Sequence, residues 1–194
     1  MEMKWIVLGI IALLAIGLVV IYNRLVALRQ TRKNAFSDVD VQLKQRFDLI
    51  PNLIETVKGY ATHEQSVFEN VTAARARVNG ARHHGAGAGT ERIQAEGALG
   101  SALMNLFAVA ENYPQLKADQ NFQQLQAELS DIENKIAAAR RFFNSATAEY
   151  NTAIQQFPAN LIAGPFGFHD EIYFELGAEA ESVRAAPPQV KFGG

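Results

Sequence analysis

Few residues in this chain have the type and spacing that chemistry requires. The glycine-rich stretch 85-GAGAGT-90 invites a phosphate-cradling reading, yet it lacks the lysine and the preceding strand that a P-loop or dinucleotide fold needs. His83 and His84 lie in the same loop. Being adjacent, they cannot share a helical face, and no further ligand sits at a metal-site spacing nearby. His63-Glu64 lacks the second histidine of a helical metalloprotease motif, and His169-Asp170-Glu171 reads as solvated charge or a weak cation contact. No serine stands in a nucleophile-elbow setting. The absence of cysteine removes thiolate nucleophiles, disulfides and Cys-ligated metals. The sequence therefore predicts no catalytic, cofactor-binding or metal-ligating residue, no cofactor, and no enzyme.

The polar residues that stand out lie against apolar stripes. Arg46 occupies a core position, and Asp48, Pro51 and Asn52 follow it in 46-RFDLIPN-52. Far along the chain, Arg140, Arg141 and Asn144 flank Phe142-Phe143. If the helices carrying them pack together, an internal polar cluster forms beside a proline. Such networks usually specify register. A small-ligand site in the bundle is the alternative.

The elements that must position these residues begin with 5-WIVLGIIALLAIGLVVIY-22, which carries no charge. As a helix it spans most of a ~30 Å hydrocarbon core. Trp5 and Tyr22 stand where interfacial aromatics sit. A buried core helix would show a polar face, and a cleaved signal would need a better small-residue site than Leu25-Val26-Ala27. The segment reads as an uncleaved anchor over residues 1–23. Arg24, Arg29, Arg32 and Lys33 follow with no acid before Asp38, so the positive-inside rule puts the body on the cytoplasmic side of a single-pass protein. The same cations suit an anionic leaflet. A net charge of −2 argues against nucleic acid as a partner.

Residues 24–157 read as an all-α, elongated antiparallel bundle of three long helices. Apolar residues recur from Phe36 through Val39, Leu43, Ile50, Leu53, Val57, Val67 and Val71 to Val78, broken by Arg46 and Glu64. A heptad-like stripe of this kind marks a helix packed lengthwise on others. The phase is unchanged across Pro51, which predicts a bend and not a break. Asp48 or Asn52 is then available to satisfy the freed backbone groups. Asn79-Gly80 predicts the end of this helix, Thr90 the cap of a second running to Tyr113, and Asp119 the cap of a third ending at Phe157-Pro158. At 1.5 Å per residue the three are roughly 70, 35 and 57 Å long. Laid antiparallel, the third should overrun the distal end of the first and leave its stripe in need of cover, from the C-terminal segment or from another subunit. Residues 158–194 read as an aromatic strap with a helical turn at 171–176, followed by a flexible tail from 177. Phe157, Phe166, Phe168, Tyr173 and Phe174 either cover the chain's own bundle or dock a partner.

Several long motifs resemble the LemA family of bacterial membrane-anchored proteins. They are 46-RFDLIPNLIETVKGYATHE-64, 111-ENYPQLKADQNFQQLQAEL-129, 140-RRFFNSATAEYN-151 and 157-FPANLIAGPFGF-168. The family more often has a tyrosine where Phe142 or Phe143 stands. The resemblance implies a helical bundle held on the bacterial cytoplasmic membrane and no catalytic residues. One branch, in magnetosome-forming bacteria, takes part in building internal membrane compartments. The expected function is a non-catalytic scaffold whose partners are membrane lipid and further copies of itself. The rival is an adaptor that captures another membrane protein, such as a protease or envelope-stress component, through its C-terminal segment.

Overall fold

The computed structural model describes residues 2–83 and 89–174. The glycine-rich connection at 84–88 and the tail from 177 lie outside the described residues. Within them the chain is all-α, with six helices and no strand: α1 (Glu2–Lys58), α2 (Gln65–His83), α3 (Thr90–Ala110), α4 (Pro114–Lys117), α5 (Gln120–Gln155) and α6 (Asn160–Ala163).

α1 passes through Pro51 without a break. It stops at Lys58, where the sequence predicts continuation to Asn79. Gly59, a weak helix former, starts a tight reversal in which the Ala61 amide donates to the Val57 carbonyl at 2.9 Å. Glu64 then launches α2, its carbonyl accepting from Val67 at 3.0 Å and from Phe68 at 3.3 Å. Two tyrosines tie the reversal to its neighbours: Tyr60 donates to Asp119 at 2.9 Å and Tyr113 to Glu64 at 3.1 Å. The apolar stripe keeps its phase across the turn because α1 and α2 face one core. Periodicity records which side is buried and is blind to a reversal that preserves the count.

The other helix limits show the same competition between local signals and packing. Asn79-Gly80 does not end α2, because Val78 and Ala81 are both buried and hold the helix on the core to His83. Thr90 is the first residue of α3, and Gly89 takes the cap position with no side-chain bond. Asp119 does cap α5: its carboxylate accepts from the Phe122 amide at 2.9 Å. That bond and the Tyr60 hydroxyl hold the Asp119 carboxyl below its ordinary range. Pro114 opens the short α4 at its first turn, where a missing amide costs nothing.

The chain divides into two compact units. Of the described residues, one holds 2–38 and 139–173, the other 39–83, 89–138 and Phe174. The second unit is a bundle of the distal part of α1, α2, α3 and the first part of α5 around Ile50, Leu53, Val57, Val71, Val78, Leu99 and Leu106. Contacts fix its directions. Asp40 meets Arg92 and Arg46 meets Glu96, so α1 and α3 run parallel. Tyr60 meets Asp119 and Arg46 meets Glu133, so α5 runs antiparallel to α1. In the first unit the pairing of Phe36 with Phe143 and of Arg32 with Thr147 gives the same antiparallel sense. The extra reversal at Gly59 thus inverts the third long helix relative to expectation. In the first unit the stripe at Tyr150, Ala153 and Ile154 is covered by Leu25 and by the C-terminal residues Ala159, Ala163 and Phe168.

Candidate functional site

In the second unit Arg46 is 1% exposed inside an otherwise apolar bundle. Its Nη2 donates to the Glu96 carboxylate of α3 at 2.7 Å and to the Glu96 carbonyl at 3.3 Å. Its Nη1 reaches Glu133 of α5 at 2.8 Å. Glu96 is as buried as its partner, whereas the Glu133 side chain is 47% exposed. Burial pushes the Glu96 carboxyl above its ordinary range, and the Arg46 guanidinium pulls the other way. One turn earlier Arg92 pairs with Asp40, which Arg82 also approaches at 3.7 Å. A bond set of this kind fixes which helices meet and in what register.

Pro51 explains a second feature of this unit. Proline cannot donate to the carbonyl four residues back, which belongs to Phe47. Arg75 of α2 supplies the missing donor, its Nε lying 3.4 Å from that oxygen, and its guanidinium stacks 4.0 Å from the centre of the Phe47 ring. Neither Asp48 nor Asn52 does this work. Asp48 is exposed and pairs with Lys44, and Asn52 is exposed, its carbonyl accepting from Thr56 at 2.9 Å. Arg140 and Asn144 are half-buried and Arg141 exposed, all three in the first unit.

The first unit is built differently. None of the 18-residue window of highest mean hydropathy in α1, at 2.8, is buried. α3 also has the length and apolarity to cross a membrane, but its window is 39% buried and contributes Leu99 and Leu106 to the core. Where the apolar run of α1 ends, Tyr22 packs edge-on against Phe166 and Phe168, centroids 5.3 and 5.6 Å away. Phe168 is buried with Leu25 and Tyr150. A tight turn aims it there: its amide donates to Ala163 at 2.9 Å, and the Gly167 amide to Gly164 at 3.0 Å. That paired closure requires a left-handed residue, and Gly167 supplies it with φ of 74°.

Two side chains then hold the strap. Asn151 donates to the Glu171 carbonyl and accepts from the Glu171 amide, both at 2.9 Å, pairing the backbone as a neighbouring strand would. Arg32 donates to Thr147 and to the Ile172 carbonyl, each at 3.1 Å, ion-pairs with Glu171 at 3.1 Å, and lies 4.9 Å from the Phe143 ring centre. Burial lowers its pKa, with Glu171 opposing. Arg32 is therefore committed to protein contacts, while Arg24, Arg29 and Lys33 remain exposed. Residues 171–174 form no helical turn. Phe174 is buried, whereas Phe157, Phe166 and Tyr173 stay exposed.

Sequence reasoning did not find Glu96, Asn151 or Arg75. Arg92 and Glu96 stand four apart beside the α3 stripe, a spacing that could have flagged them as core-facing partners for Arg46. Nothing in sequence flags Asn151, whose partner is a backbone group. Among the described residues no three histidine, aspartate or glutamate side chains converge as metal ligands.

The LemA family matches over residues 35–192. Magnetosome protein MamQ of Magnetospirillum gryphiswaldense is 28% identical over 174 residues, 79% of this chain, and the chain spans 64% of that relative's length. Magnetosome protein MamQ 2 of Paramagnetospirillum magneticum is 27% identical over 190 residues, 87% of this chain and 70% of its own. Protein LemA of Metamycoplasma hominis is 24% identical over 161 residues, 83% and 71% of the two chains. Together with the exposed apolar helix, these matches suggest a membrane-associated helical protein.

Proposed function

Since the chain belongs to the LemA family, we propose that it is a non-catalytic, single-pass scaffold of the bacterial cytoplasmic membrane, its helical body on the cytoplasmic side. The observation that carries this reading is the apolar window of α1, exposed along its whole length. Leaving such a surface in water is unfavourable by about 25 cal/mol per Å², so it needs lipid. Arg24, Arg29 and Lys33, exposed just after it, support the cytoplasmic placement. Buried charge in the body serves packing, which supports a structural role. Relatives named as magnetosome proteins fit a role in membrane shaping. The covered stripe of α5 removes one reason for self-association, which now rests on the span and on exposed Phe142.

Extraction in mild detergent followed by mass photometry tests this reading. A particle several times the 21.3 kDa of one chain is expected. A monomer would sink the scaffold. It would favour the adaptor for another membrane protein, for which exposed Phe157, Phe166 and Tyr173 speak. Release from membranes by alkaline carbonate, without detergent, would refute the anchor itself.

A further inference from the structure

The end of α5 and the turn around α6 share one property: between Glu149 and His169 there is no charged side chain. Within this stretch Ala159, Ala163 and Phe168 are buried against Leu25, and Ile21 packs on the same cluster. Their neighbours point outward. Phe157 is 80% exposed, Leu161 65% and Phe166 49%. Solvent-exposed apolar groups of this size in an uncharged patch mark an interaction surface.

Its place in the unit identifies the occupant. Ile21 and Tyr22 close the apolar run of α1, and Phe166 and Phe168 pack on Tyr22. Whatever depth Tyr22 takes in a bilayer, the strap shares. An aromatic at the end of a span sits at the headgroup level. Exposed Arg24 and Arg29 follow Tyr22 along α1, and Arg29 lies 5.6 Å from the Phe168 ring centre, so cations stand beside the strap to meet lipid phosphates.

We propose that the turn from Phe157 to Phe166 is a second membrane contact, immersed in the headgroup–acyl boundary of the leaflet beside the anchor. The inference rests on the anchoring reading above. The body is then held to the membrane at two points, and a single helix can no longer swivel freely. The lateral contact arises from packing along α1 and α5, and the apolar run of α1 gives no hint of it.

Tryptophan fluorescence in phosphatidylcholine–phosphatidylglycerol vesicles tests it, because the chain has one tryptophan, Trp5. The full chain carrying Trp5→Phe with Leu161→Trp, or with Phe157→Trp, moves the probe to the strap. Both replaced side chains are exposed, so the fold tolerates them, and circular dichroism verifies it. The expected result is loss of emission to a nitroxide at the shallow fifth acyl carbon, with protection from aqueous iodide. Quenching by iodide and not by nitroxide would overturn the proposal. So would emission shielded from both, which would mean that a protein partner or second copy covers the turn. Native Trp5, measured in the same vesicles, separates the two readings. If Trp5 is quenched by lipid and the strap probe is not, the anchor stands and the strap contact fails. If Trp5 is not quenched, both fall.

Discussion

The two units put their charge and their apolar surface on opposite sides of the same physics. In the second unit two arginines, Arg46 and Arg92, and Glu96 are withdrawn from water among Leu, Ile and Val. In the first, the large apolar side chains of α1 face outward along a whole window, and the polar contacts of Asn151 and Arg32 hold a strap in place. The difference shows where each unit's structure is specified. A bundle of aliphatic layers needs a few costly polar contacts to choose one register. A unit whose apolar face is turned outward needs polar clamps that fasten its loose end to its helices.

The sharpest way to break this comparison is to remove Arg46. Arg46→Ala leaves the buried Glu96 carboxylate without its cation, and breaking a buried pair from one side costs about 3–5 kcal/mol. Urea unfolding of the detergent-solubilised full chain should show that loss. Its pH dependence is diagnostic. Burial already raises the Glu96 carboxyl above its ordinary range, and losing Arg46 raises it further. A raised carboxyl contributes stability that is fully present below the unfolded value and lost as pH rises through the folded one. The defect of the variant should therefore shrink as pH falls toward that value. A loss that is small and independent of pH would mean that Arg46 is not what orders the bundle.

Much of the fold was legible in the sequence before any coordinates. The stripe named Val39, Leu43, Ile50, Leu53, Val57, Val71 and Val78 as core, all of them buried, and local signals marked Asp119 as a cap and Pro51 as interior to a helix. All-α architecture follows from those alone. What escaped has physical causes. The reversal at Gly59 preserves the phase of the stripe, so periodicity cannot see it, and missing it inverted the direction assigned to α5. Asn79-Gly80 and Thr90 are local signals overruled by buried neighbours. The polar cluster was half legible: an arginine in an apolar stripe must have partners, but which acids supply them depends on helix order. Glu96 and Glu133 became partners only once α1 and α3 ran parallel.

A smaller effect separates the two units. Asn151→Ala removes both bonds to Glu171 and leaves a partly buried backbone pair unmet, a cost of about 1–3 kcal/mol. Hydrogen exchange should accelerate at the amide of Glu171 and along the strap, with the amides around Ile50 and Leu99 unchanged. If those core amides exchanged faster to the same degree, the strap and the bundle would be one cooperative body, and the contrast drawn between them would fail.

The finest test lies at Pro51, where the second unit uses a polar clamp of the kind that dominates the first. Pro51 leaves the Phe47 carbonyl without its helical donor, and Arg75 reaches that oxygen while stacking on the Phe47 ring. Two contributions are mixed in this contact, and a double-mutant cycle separates them. Arg75→Ala removes both. In a Pro51→Ala background the restored amide of residue 51 already serves the carbonyl, so Arg75→Ala should remove the ring contact alone and cost less. The expected coupling is about 0.5–1.5 kcal/mol, the net worth of one hydrogen bond. Strict additivity would mean that the arginine acts only through the ring, and that the bundle accepts the helix's unpaired carbonyl without replacement. A positive coupling would show the proline and the arginine to be one device, in which a defect in α1 specifies how α2 must dock.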